Sequence, residues 1–129
     1  MATLEAGLLI IVTGLFLAAT ITSFVSSIFL DKLLRYQHSK FRASWEADGK
    51  LNGTFWTAPA SSGAVPWLRA TRYLADVWLD TRPQWVFGDL TATNLYNSFV
   101  FWYRPAKFAI RGALVMTVLL IIVIISRGK

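Results

Sequence analysis

The apolar positions of the chain gather into two blocks separated by a mixed segment. Residues 6–30, AGLLIIVTGLFLAATITSFVSSIFL, contain no Asp, Glu, Lys or Arg, and neither do residues 112–126. At 1.5 Å per residue the first block reaches about 37 Å, longer than the roughly 30 Å hydrocarbon core of a bilayer. The second apolar run, 108–126, covers about 28 Å and carries Arg111 in its first turn, where a long side chain reaches back to the headgroups. The pattern predicts an all-α membrane protein. Transmembrane helices occupy 6–30 and 108–126, and residues 31–107 join them through short amphipathic helices at the membrane interface.

The joining segment divides at its turn residues. Residues 31–47 hold no Pro or Gly and prolong the first helix. Asp48-Gly49-Lys50-Leu51-Asn52-Gly53 reads as a turn, and Thr57 to Pro66 as a loop. Residues 67–80, WLRATRYLADVWLD, place Trp67, Leu74 and Trp78 on one helical face, with Arg72 and Asp76 as an i,i+4 pair. Such a helix lies flat on a membrane with its Trp residues at the acyl boundary, or packs against the other loop elements. Residues 89–103 predict a third short helix with Asp89 as N-cap. Arg104-Pro105 marks an elbow into the second span. The expected membrane-interface residues are Arg35, Arg42, Trp67, Trp78, Trp102, Tyr103, Arg104, Lys107 and Arg111, a belt of aromatic and basic side chains.

Within the first span, Gly14, Ala18, Thr22 and Ser26 follow at intervals of four, and Gly7 lies seven before Gly14. This small-xxx-small stripe lets a second helix backbone approach closely, which makes these five residues the expected helix-packing face. Leu9, Phe16, Ile21 and Phe24 occupy the other side and suit lipid. The second span is Leu, Ile and Val almost all round and reads as a lipid-facing anchor, with Gly112-Ala113 placed to touch the first span.

Composition sharpens the picture. Of 129 residues, 55% are hydrophobic and 16% charged, and the formal net charge is +6. The basic residues cluster beside both apolar blocks, so the excess points to anionic lipid rather than nucleic acid. Lys32, Arg35, Lys40 and Arg42 follow the first span, and Arg104, Lys107 and Arg111 lead into the second. The positive-inside rule then places the central segment in the cytoplasm, of a bacterial inner membrane on this reading, and both termini outside. Arg127 and Lys129 pull the other way. The first residues lack a positive n-region, so the first span reads as an uncleaved anchor. The absence of cysteine excludes disulfides, thiolate metal sites and a catalytic thiol.

Candidate chemistry is sparse. His38 is the only histidine and stands in the basic stretch, the place of a solvated interfacial residue. Glu46, Asp48, Asp76, Asp80 and Asp89 are scattered, and no nucleotide-binding or nucleophile motif occurs. No cofactor, metal or catalytic residue is expected, and contact with a pigment or haem only through a partner chain. Trp45, Asp48-Gly49, Thr54-Phe55, Arg72-Tyr73 and Tyr103-Arg104, in this layout, resemble universal stress protein B and similar small two-span bacterial membrane proteins. The loop departs from that protein in being rich in Trp and poor in His, and the resemblance carries over no functional residue. The expectation is a non-catalytic accessory subunit of a larger membrane complex, with respiratory and photosynthetic assemblies as hosts that commonly carry such subunits. The alternatives are a self-associating membrane scaffold or a membrane-surface lipid binder.

Overall fold

The computed structural model describes residues 2–56 and 67–129, and side chains within 3–56 and 72–129. The expected loop at Thr57–Pro66 lies outside the described residues. The elements are α1 (Ala2–Lys40), α2 (Arg42–Ala47), α3 (Trp67–Asp80), a 3-10 turn (Gln84–Val86) and α4 (Leu90–Arg127). No strand occurs among the described residues.

Two helices dominate. At 39 and 38 residues, α1 and α4 each extend to nearly 60 Å, beyond the 40–45 Å of a whole bilayer. Both are long and apolar enough to cross a membrane. They run antiparallel: Glu5 pairs with Arg127 at one end, Leu15 faces Gly112 midway, and Tyr36 bonds Asp89 at the other. Both termini therefore lie at one end of the hairpin, and the remaining elements form a cap at the other.

The seam between the two helices has a heptad period. In α1, Val12, Ala19, Ser26 and Leu33 are buried at intervals of seven. In α4, the buried residues are Ala92, Tyr96, Phe99, Tyr103, Ala106 and Ala113. A 3-4 alternation keeps one seam on the partner helix over many turns. Its chemistry changes along the length. Small residues bring the backbones together in the apolar half, where close van der Waals packing drives association. Large ones fill the cap, where burial from water contributes about 1.5–3 kcal/mol per side chain.

That seam passes straight through Pro105. The expected elbow at Arg104-Pro105 is not there: α4 is one helix, with Pro105 in its interior and its ring exposed. Proline leaves the carbonyl four residues earlier without its usual donor. Tyr103 and Ala106, buried on either side of Pro105, hold the helix against α1 across the gap.

The cap has its own core. Leu30, Leu33 and Leu34 of α1, Ala75 and Trp78 of α3, Val86, and Ala92, Tyr96, Phe99 and Tyr103 of α4 form one buried cluster. The predicted prolongation over 31–47 forms with a break at Phe41, where ψ turns to 53° while the hydrogen bonds to Gln37 and from Trp45 persist. The predicted turn follows: Gly49 and Lys50 take positive φ, and the Lys50 N–H returns to the Trp45 carbonyl. Asp89 caps α4 by accepting the Ala92 N–H at 2.9 Å, as the sequence predicts.

Candidate functional site

Where the cap meets the apolar half of the hairpin, three helices surround a cavity of about 260 Å³. Ser23, Ser26, Ser27 and Leu30 line it from α1, and Arg72, Ala75 and Asp76 from α3. Phe99, Tyr103, Ala106, Lys107, Ile110 and Arg111 line it from α4, and Thr54 closes it from the chain after α2.

Each polar group arrives there for a local reason. On α4, Tyr103, Lys107 and Arg111 recur every fourth residue and so share a face. On α3, Arg72 and Asp76 are likewise one turn apart. Asp76 forms no ion pair with Arg72 but reaches across to α4, accepting the Tyr103 hydroxyl at 2.6 Å and the Lys107 ammonium at 2.9 Å. Burial pushes the Asp76 carboxyl up, but the Tyr103 and Lys107 hydrogen bonds and the charges of Lys107 and Arg72 outweigh it and hold the group below its ordinary value. Arg111 has no ion-pair or hydrogen-bond partner among the described residues. It also lines a second hollow with Arg104, Lys107, Phe108, Leu79 and Asp80.

Asp31, immediately after the apolar block, fastens the loop that brings Thr54 to this cavity. It is 7% exposed, and its carboxylate accepts the Thr54 N–H at 2.5 Å and the Phe55 N–H at 2.6 Å. Glycine at position 53 makes this possible: a Cβ there would overlap the Asp31 carboxylate. Nothing in the sequence alone pairs Asp31 with a segment more than twenty residues away.

The expected interface residues separate into three groups. Arg35, Arg42 and Arg104 are exposed and Trp102 half-buried, compatible with the belt. Lys107 and Arg111 face the cavities. Trp78 is only 3% exposed and Tyr103 9%, so both belong to the cap core and not to a membrane surface. Trp78 lies in the cluster with α1 and α4, and its carbonyl accepts the Tyr96 hydroxyl at 2.6 Å. Of the two expected placements of α3, packing on the other elements is the one realised. The Trp67 side chain lies outside the described residues.

The small-residue stripe is divided too. Ser26 is buried against α4 and Thr22 half-buried, while Gly14 and Ala18 are exposed. A Cβ added at Gly7 or Gly14 would meet nothing within 4 Å. Val12, Leu15 and Ala19 hold the intramolecular seam instead. Hydroxyls within the spans bond back to their own helices, Thr22 to the Ala18 carbonyl and Thr117 to the Ala113 carbonyl, both at 2.6 Å.

His38 departs from the expected solvated position. Its ring stands edge-on to Trp45 at 4.5 Å and to Trp56 at 5.4 Å, and its Nε2 is buried without a partner among the described residues. No group of three His, Cys, Asp or Glu placed to hold a metal occurs among the described residues. The signal that sequence reasoning missed is the 3-4 run Ala92, Tyr96, Phe99, Tyr103, Ala106, continued one heptad on at Ala113, which crosses Pro105 and places Tyr103 and Lys107 opposite α3. Comparison of the chain with protein-family models, with curated proteins and with solved structures finds no match.

Proposed function

We propose that this chain is a non-catalytic accessory subunit of a larger integral membrane assembly, docking there through α1. The observation that carries the reading is the free half of the small-residue stripe. Gly14 and Ala18 face outward in the apolar half of the hairpin, with open space over Gly14. The intramolecular seam satisfies Val12, Ala19 and Ser26 without them. A smooth, backbone-exposing strip admits a neighbouring helix more closely than the Leu- and Ile-rich surface beside it. The back-bonded hydroxyls leave the spans with little polar surface, which favours a packing role over a conducting one.

In the proposed orientation the cap is cytoplasmic and both termini lie outside. Lys32, Arg35, Lys40, Arg42, Arg104, Lys107 and Arg111 concentrate on the cap side. The ion pair between Glu5 and Arg127 neutralises one of the two basic residues at the other end.

The test is extraction of the tagged full chain from its native membranes in mild detergent, with native-gel sizing and mass spectrometry of what accompanies it. The expected result is a stoichiometric set of larger membrane proteins that Gly14→Leu releases while the helix content stays unchanged. A band at a small multiple of the 14.5 kDa chain, dissociated by the same substitution, would replace this reading with self-association. A monomer would overturn both.

A further inference from the structure

We propose that the cavity at the base of the cap is a binding site for one anionic phospholipid, its phosphate held by Arg72, Lys107 and Arg111. Three observations converge. The first is charge: within this cavity the three cations meet one carboxylate, Asp76, so its lining carries an excess of two positive charges, while Asp80 and Arg104, which offset each other, line the neighbouring hollow. Arg111 has no internal partner among the described residues. Lys107 has three ammonium protons and donates one hydrogen bond, to Asp76. A phosphate oxygen therefore meets unspent donors.

The second is depth. Ser23 and Ser27 stand in the last turns of the uncharged block 6–30, and Ala106 to Arg111 lead into the uncharged block 112–126. A group touching both sits at the boundary between headgroups and acyl chains. A lipid phosphate already resides near that level, whereas a soluble anion would have to leave water to reach it.

The third is continuity. Ser23 and Ile110 also line a groove of about 310 Å³ between the spans, whose other walls are Phe16, Ala19, Thr20, Ala113 and Leu114. The polar cavity thus opens into an apolar trough that descends along the hairpin, the shape of a headgroup with an acyl chain attached. This inference stands apart from the docking proposal, because it uses the seam side of α1 and not the exposed Gly14 and Ala18.

The experiment uses the full chain purified in mild detergent, offered an equimolar mixture of phosphatidylglycerol and phosphatidylcholine of matched acyl chains, with bound lipid counted by native mass spectrometry. The expected result is one phosphatidylglycerol retained in preference to phosphatidylcholine. Arg111→Gln should lower that retention about fivefold, and Arg35→Gln, which removes the same charge outside the cavity, should not. Arg111 has no ion pair or hydrogen bond to lose among the described residues, so unchanged helix content is the expected control for its replacement, and Arg72→Gln gives a second, independent reading. Equal losses in the cavity and control variants would overturn the proposal in favour of diffuse attraction. Displacement of the lipid by excess inorganic phosphate would overturn it in favour of a soluble anion.

Discussion

At Asp31 a single carboxylate does the work of a clasp. A charge placed directly after a 25-residue uncharged block would ordinarily stand among the headgroups. Here it is buried and accepts two backbone N–H groups from the loop that carries Thr54 and Phe55. Charge-assisted bonds of this kind contribute about 1.5–3 kcal/mol each, and removing their acceptor leaves the loop without its anchor. Asp31→Ala should therefore cost about 2–4 kcal/mol in thermal or denaturant unfolding of the detergent-solubilised protein. Gly53→Ala should cost a comparable amount, because its Cβ and the carboxylate claim the same space. If limited proteolysis after Lys50 were no faster in either variant than in the parent, the clasp would have no part in holding the loop. Asp76 gives a second prediction, in pH. Its folded value lies below the ordinary 3.8, so the stability it contributes is complete above that value and is lost as pH falls through the folded one. Melting temperature should drop more steeply below about pH 4 in the parent than in Asp76→Asn, the difference being small because the pair is partly exposed.

At the scale of elements, the decisive feature is that α4 does not bend. Its buried residues keep a 3-4 spacing from Ala92 to Ala106 and return one heptad later at Ala113. That register would break if the helix turned at Arg104-Pro105. The proline weakens a helix that tertiary packing enforces, so Pro105→Ala should raise thermal stability, by about 1–3 kcal/mol, without changing the pairing with α1. A fall in stability would mean that the freed carbonyl has a partner worth more than the restored bond. Within the same seam, Phe99 of α4 is fully buried in the cap core and stacks on Tyr103 at 5.0 Å. Phe99→Ala should cost about 3–5 kcal/mol and loosen the cap first, read as faster hydrogen exchange in α3 than in the spans.

For the whole molecule, the hairpin puts both termini at one end and the cap at the other, so a single measurement fixes its orientation. The chain has no cysteine, which makes every introduced thiol a clean reporter. With the cap in the cytoplasm, a membrane-impermeant maleimide applied to intact cells should label Thr3→Cys and spare Ser39→Cys, and lysis should expose both. The reverse pattern would invert the orientation and with it the proposed side of the lipid site.

The two long apolar helices were determined by the sequence itself, because an uncharged run of bilayer length forms a helix that satisfies its backbone internally. The same holds for the end of α3 before Pro83, for the Asp89 cap and for the turn at Gly49, each of which rests on local chemistry. Lipid-facing Leu9, Phe16, Ile21 and Phe24 were likewise legible, and all four are exposed. What only the tertiary structure decided were the choices between two faces or two partners. Trp78 suits a membrane surface and a protein core equally well as an amphipathic position, and it entered the core because α1 and α4 offered a groove for α3. Asp76 had Arg72 one turn away, but the Lys107 ammonium and Tyr103 hydroxyl met it from across the cap. Gly14 and Ser26 belong to one stripe in sequence. They parted company because the seam drifts across the stripe along α1, following the period of the aromatic and small residues of α4. Those outcomes depend on groups far apart in the chain, and only packing brings such groups within reach of one another.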